Sequence, residues 1–186
     1  MQVHENYEIL GLISIVWLWM CLWFMIWHWR GNTTMTYSSH AAQTKQGIVY
    51  YFLTFSTHLV LFTVFAVTWL VPTLNVPRVF LPLLFCAVAG QEIALLIPST
   101  GGKMTIVHDA MAYFMHFLLT PLALLVVFYS NVPALTKVLA TAPLFSMLGV
   151  LFVFIRYKDS NKHALYLQTA YGLSFHIVIL LVMYLR

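Results

Sequence analysis

The hydrophobic and polar positions of this chain alternate on the scale of whole segments rather than of single residues. Apolar runs separated by short polar stretches cover most of its 186 residues. Each run approaches the roughly 20 residues that an α-helix needs to cross a bilayer. The pattern predicts helices over about 8–29, 47–71, 79–97, 105–129, 138–154 and 164–185. It therefore predicts an all-α fold: a polytopic membrane protein whose residues 1–186 form a single six-transmembrane-helix bundle, with no sizeable domain outside the membrane.

The breaks between runs carry their own signals. Gly31 opens the longest polar connection, residues 32–46, whose Ser, Thr and Asn content marks a loop, with His40 as a solvated loop histidine. Pro72 is expected to end the second helix, and Pro77-Arg78 closes a short turn. Pro98 and Gly101-Gly102 separate the third helix from the fourth, and residues 156–163 form the most charged segment.

Composition agrees with the pattern. The chain is 62% hydrophobic and 8% charged, with a mean hydropathy of +0.88. A soluble domain carries about 25% charged residues, so a soluble fold is excluded and membrane lipids are the expected surroundings. The net charge of +4 is spread over loops and helix ends without a basic stripe, which leaves nucleic-acid binding unsupported. Cys21 and Cys86 sit in apolar runs without metal-binding or CxxC spacing and read as packing residues. The N-terminal stretch has acids but no Lys or Arg ahead of its apolar run, so the first segment reads as a retained helix rather than a signal peptide. That helix carries Trp17, Trp19, Trp23, Trp27 and Trp29. Trp27, His28, Trp29 and Arg30 fit an interfacial anchor, and Trp17 and Trp23 fit packing surface.

The connections between helices one and two, three and four, and five and six share one side of the bundle, called side A. Its cations are Arg30, Lys45, Lys103, Arg156, Lys158 and Lys162, against Arg78, Lys137 and Arg186 on side B. Six against three favours side A in the cytoplasm, with both termini outside.

Against this apolar background the ionisable residues inside the runs stand out, because such groups are costly at membrane depth and tend to face a protein interior or a water-filled cavity. On the fourth helix Asp109, Tyr113, His116 and Thr120 fall within about 60° of one another, at 100° per residue, while His108 points to one side as a rim residue. Counted from side A at 1.5 Å per residue, His58, His116 and His176 all lie about 16–18 Å deep, Glu92 about 9 Å, and His108 with Asp109 about 5 Å. The count predicts a polar funnel with an acidic mouth and an imidazole floor. His58, His116 and His176 should approach one another, and Asp109 should face the interior near Glu92.

Three readings of this funnel follow. Three histidines with an open fourth position would suit a catalytic zinc, and two could hold a haem axially. Glu92, Asp109 and His116 could relay protons or ions. The same groups could simply hydrogen-bond neighbouring helices and hold the bundle together. Ser38, Ser39 and Ser56 lack a G-x-S-x-G elbow, so a serine hydrolase has no support. The leading expectation is a non-enzymatic membrane protein that binds, senses or moves a small molecule or ion through the buried His/Asp/Glu cluster. The alternative is a metal-dependent intramembrane hydrolase, with Glu92 or Asp109 as general base, or a haem-binding redox protein.

The string IPSTGGKMTIVHDAMAYFMHFLLTPLALLV resembles a segment of a prokaryotic six-span membrane family of unknown function. Ile97-Pro98, Gly101-Gly102, His108-Asp109 and Pro121 occupy the places of that family's span-ending motif, glycine turn, His-Asp pair and later helix proline. TYSSHAAQTKQG looks like a degenerate version of its Ile-Ser-Glu-Leu-Gly-type element, without the acid. The layout is also similar to the eukaryotic Frag1/DRAM-like membrane proteins. The resemblance implies a six-span fold with the first loop on the outer face, opposite to the charge count. It brings no activity.

Overall fold

The computed structural model describes residues 5–29, 31–97, 103–157 and 162–186. The turn through Pro98 and Gly101-Gly102, Arg30 and residues 158–161 lie outside the described residues. The apolar runs fold as helices: α1 (Glu5–His28), α3 (Lys45–Phe65), α5 (Phe80–Leu96), α6 (Lys103–Phe128), α7 (Ala134–Arg156) and α8 (Ala164–Tyr184), with short helices α2 (Tyr37–Ala41) and α4 (Val71–Leu74) between them. No strand occurs among the described residues. Five of the rods are long and apolar enough to cross a membrane; α5, at 17 residues, is shorter.

Pro72 does not end the second helix. Proline has no N–H, and its ring presses on the carbonyl four residues back. Here the backbone widens into a π-helical turn over Ala66–Leu70, in which the Val71 amide reaches back five residues to the Ala66 carbonyl. The rod then continues as α4 to Leu74, and Asn75 terminates it in the left-handed conformation at φ 51°.

Cross-connections fix the direction of the rods. On side A the Leu165 amide donates to the Thr33 carbonyl. On side B the Asn131 amide donates to the Leu74 carbonyl, and Arg186 pairs with Glu8 at 2.8 Å while its guanidinium lies 4.6 Å from the Trp69 ring centre. Neighbouring rods pack as α1 on α3, α3 on α5, α5 on α6, α7 on α6 and α8, and α8 on α1 and α6.

Close approach needs small residues, since helices in lipid gain little from hydrophobic burial and depend on fit. A side-chain carbon at Gly90 of α5 would lie 3.0 Å from the Phe114 ring and 3.4 Å from the Met111 carbonyl oxygen of α6. One at Gly11 of α1 would lie 2.8 Å from the Phe65 ring.

The two halves of the bundle differ. The side B half is filled by Phe65, Trp69, Leu70, Phe80, Leu122, Val126, Ile179 and Val182, none more than 1% exposed. The side A half is hollow. The loop expected to be solvated caps the hollow. Thr36 caps α2 by accepting from the Ser39 amide, Thr44 caps α3 by accepting from the Gly47 amide, and Tyr37, His40 and Ala41 of α2 are buried. His40 is therefore not a solvated loop histidine.

Replacing Gly90 with Leu is expected to lower stability by about 1–3 kcal/mol through overpacking. Gly149→Leu should be neutral or slightly stabilising, because a side chain there meets nothing within 4 Å. Thermal unfolding in the same detergent compares the two.

Candidate functional site

The hollow is a cavity of about 240 Å³. At roughly 10–15 Å³ per water-sized position it has room for on the order of twenty such groups. Apolar and aromatic side chains make most of its wall, among them Leu22, Phe55, Phe62, Leu84, Phe154 and Phe175. His58, His108, His116 and His176 interrupt that wall, with Gln91, Gln168 and Tyr171. No Lys or Arg lines it among the described residues. Of the lining residues only Asp109, Tyr113, Phe117 and Ile155 are exposed, and all belong to α6 or α7. Among the described residues the exposed part of the lining therefore lies laterally, on those two helices.

Hydrogen bonds decide which face each imidazole shows. A neutral imidazole has one N–H and one lone pair, and its partners select the tautomer. The Ser14 hydroxyl donates to the His58 carbonyl at 3.0 Å, so it accepts from His58 Nδ1, 2.8 Å away, while Nδ1 also lies 3.1 Å from the Ser14 carbonyl oxygen. His58 thus carries its proton on Nδ1. His116 does the same, donating from Nδ1 to the Ala112 carbonyl at 2.7 Å. In both residues Nε2 keeps its lone pair and makes no hydrogen bond among the described residues, and both side chains line the cavity.

His176 is reversed. The Trp19 indole can only donate, and its Nε1–H points at His176 Nδ1 from 3.0 Å. His176 therefore carries its proton on Nε2. Its ring stands edge-on to that of His58, centres 5.3 Å apart and planes at 90°. His116 lines the same cavity, with its ring 5.2 Å from that of Tyr171. The Tyr171 hydroxyl donates to the His116 carbonyl and accepts from Thr120 Oγ1 at 2.8 Å.

His108 and Asp109 exchange the places expected of them. His108 is buried rather than at the rim. Its Nδ1–H is shared between the Ala94 carbonyl at 2.8 Å and the Ile97 carbonyl at 2.7 Å, two acceptors left over at the C-terminal end of α5. Its Nε2 accepts from the Ser38 hydroxyl at 3.0 Å, which ties α2 to α6. Asp109 is exposed at the mouth and is not set against Glu92. Glu92 does not line the cavity and accepts from Ser56 at 3.2 Å across α3 and α5. Tyr113 is 48% exposed beside Phe154. The acidic mouth thus consists of Asp109 alone among the described residues.

The three-histidine metal site is not assembled. Among the described residues no three His, Cys, Asp or Glu side chains are grouped to hold a metal ion. A ligating histidine usually donates its other N–H outward, as His58 and His116 do, whereas His176 accepts there from Trp19. The edge-on contact of His58 and His176 leaves no gap for a macrocycle between those two rings.

Sequence reasoning missed Ser14, Trp19 and α2. Ser14 was detectable as the lone hydroxyl in the middle of the first span. Tyr37 of α2 is held by Gln168, which accepts from its amide at 3.1 Å, and by Thr169, which accepts from its phenol at 2.6 Å. Burial pushes the Tyr37 phenol up from its ordinary 10.0.

Compared with protein-family models, curated proteins and solved structures, the chain matches none of them.

Two outcomes test these assignments. His108→Ala leaves two helix-end carbonyls without their donor and is expected to cost about 1–3 kcal/mol, whereas Glu92→Gln, which keeps an acceptor for Ser56, should cost well under 1 kcal/mol; both are read by thermal unfolding. The folded state favours the protonated Tyr37 phenol, so the stability it contributes is present below pH 10.0 and lost as pH rises above that value. Tyr37→Phe should flatten that part of the alkaline fall in stability, and an unchanged profile contradicts the assignment.

Proposed function

We propose that this protein is a six-span integral membrane protein that binds a small, uncharged, largely apolar molecule in the side A cavity, as a binding or sensing protein rather than an enzyme. In this reading α5 is the sixth span. The observation that carries the proposal is the pair of imidazole lone pairs, at His58 and His116, on the wall of a mostly apolar cavity and fixed by their Nδ1–H bonds. A polar atom facing a mostly apolar cavity favours a ligand that brings it a partner. Ligand sites have the same composition, an apolar wall with a few oriented polar groups.

The relay and hydrolase readings are less well supported by the geometry. Glu92 bonds Ser56 outside the cavity, Asp109 stands at the mouth, and no chain of hydrogen bonds among the described residues joins either to His116. The resemblance of the His-Asp helix to six-span membrane families supports the bundle and says nothing of a ligand.

The test uses purified protein in nanodiscs and N-phenyl-1-naphthylamine, a neutral fluorophore of suitable size with one N–H donor. Saturable binding above protein-free nanodiscs is expected. Gly172→Phe, placed on the cavity wall where a side chain meets only the Trp19 ring at 3.7 Å, should fill the space and abolish binding while keeping the thermal stability. Binding that is not saturable, or that survives Gly172→Phe unchanged, sinks the proposal.

A further inference from the structure

The opposed tautomers of His58 and His176 bear on what the cavity takes. Across a ring separation of 5.3 Å the wall offers one acceptor, His58 Nε2, and one donor, His176 Nε2–H. His116 Nε2 adds a second acceptor on the same cavity. The rings of His58 and His176 are more than nine-tenths buried, so lipid or bulk water supplies neither with a partner at low cost.

A head group that satisfies this wall must both donate and accept. Carbonyl, ether and quinone heads only accept, and would leave the His58 and His116 lone pairs unpaired. A carboxylate or phosphate would face those lone pairs with no Lys or Arg in the lining described. An ammonium head donates but leaves the His176 N–H unpaired and carries a charge to membrane depth. A hydroxyl gives its one proton to His58 Nε2 and accepts from His176 Nε2–H, so it pairs two of these three groups without bringing a charge and leaves only the His116 lone pair.

The mouth says where the rest of the molecule goes. Tyr113 and Phe117 of α6 are each 48% exposed and Ile155 of α7 is 71% exposed, and all three also line the cavity. Among the described residues the cavity thus opens sideways between α6 and α7, toward lipid, while α2 lies at its side A end. A molecule that inserts its hydroxyl first leaves its apolar chain passing between these two helices into the leaflet.

Resting on the reading of the cavity as a binding site, we infer that its ligand is a neutral membrane alcohol or phenol, held by its hydroxyl between His58 and His176 and reached laterally between α6 and α7. The hydroxyl proton is directed to His58 Nε2, and no bond in the ligand changes.

Competition against bound N-phenyl-1-naphthylamine in nanodiscs tests this, with 1-dodecanol, its methyl ether and dodecanoate as competitors. Dodecanol is expected to displace the fluorophore about tenfold more strongly than the ether, the cost of leaving a buried acceptor unpaired. Dodecanoate should be weaker still. His58→Phe should erase the preference of alcohol over ether, and His58→Gln, whose amide oxygen can accept the same proton, should restore part of it. Ile155→Trp, at the mouth and away from the histidines, should slow displacement without changing the preference. Equal displacement by alcohol and ether, or stronger displacement by dodecanoate, overturns the hydroxyl assignment and leaves the cavity as a binding site. Failure of the fluorophore itself to bind saturably overturns both.

Discussion

An imidazole at membrane depth has one N–H that must find an acceptor, and in lipid the acceptors within reach are mostly backbone carbonyls. That constraint organises the side A half of this bundle. His116 satisfies it within its own helix through Ala112, His58 across two helices through Ser14, and His108 across a turn through Ala94 and Ile97. Each bond leaves Nε2 turned away from the helix that anchors the ring. Only His176 breaks the pattern, because Trp19 brings it a donor and not an acceptor. The bonds that stabilise the helix contacts therefore also set the polarity of the cavity wall.

The contrast between the two halves follows from side-chain volume. Toward side B the helices present Phe65, Trp69, Leu70, Phe80, Val126 and Ile179, which fill the space between them. Toward side A, Ala87, Ala94, Ala112, Ala164 and Gly172 stand among the histidines and the larger side chains of the wall, and a void remains between them. Among the described residues α2 covers the side A end of that void, through Tyr37 on Gln168 and Thr169 and Ser38 on His108. Gly90 holds α5 against α6 on one flank, while on the other the Tyr113 ring of α6 meets the Phe154 ring of α7 beside the exposed Ile155.

The helical rods were legible because apolar runs of span length admit one backbone solution in lipid. The depth count was legible for the same reason: helical rise is constant, and it puts His58 and His176 at one level, where their rings meet. Rotation about the helix axis was not. The stripe of Asp109, Tyr113, His116 and Thr120 shares one side of α6, but that side spans both cavity wall and mouth. Asp109 and Tyr113 are exposed, while Thr120 reaches Tyr171. His108 was misplaced because its partners, the end carbonyls of α5, are backbone atoms that no side-chain pattern reveals. Pro72 misled for a related reason, since a π turn absorbs it without ending the rod. The loop 32–46 reads as polar because its polar groups bond to one another and to α8, and the sequence does not show that they do so in a buried place.

The histidines of the cavity carry opposed tautomers. Nitrogen chemical shifts of 15N-labelled imidazoles, assigned through His58→Gln, His116→Gln and His176→Gln, read the tautomer of each ring directly. His58 and His116 should carry their proton on Nδ1 and His176 its proton on Nε2, with Trp19→Phe freeing His176 to change. A shared tautomer for all three rings, or a His176 spectrum indifferent to Trp19→Phe, would contradict these assignments.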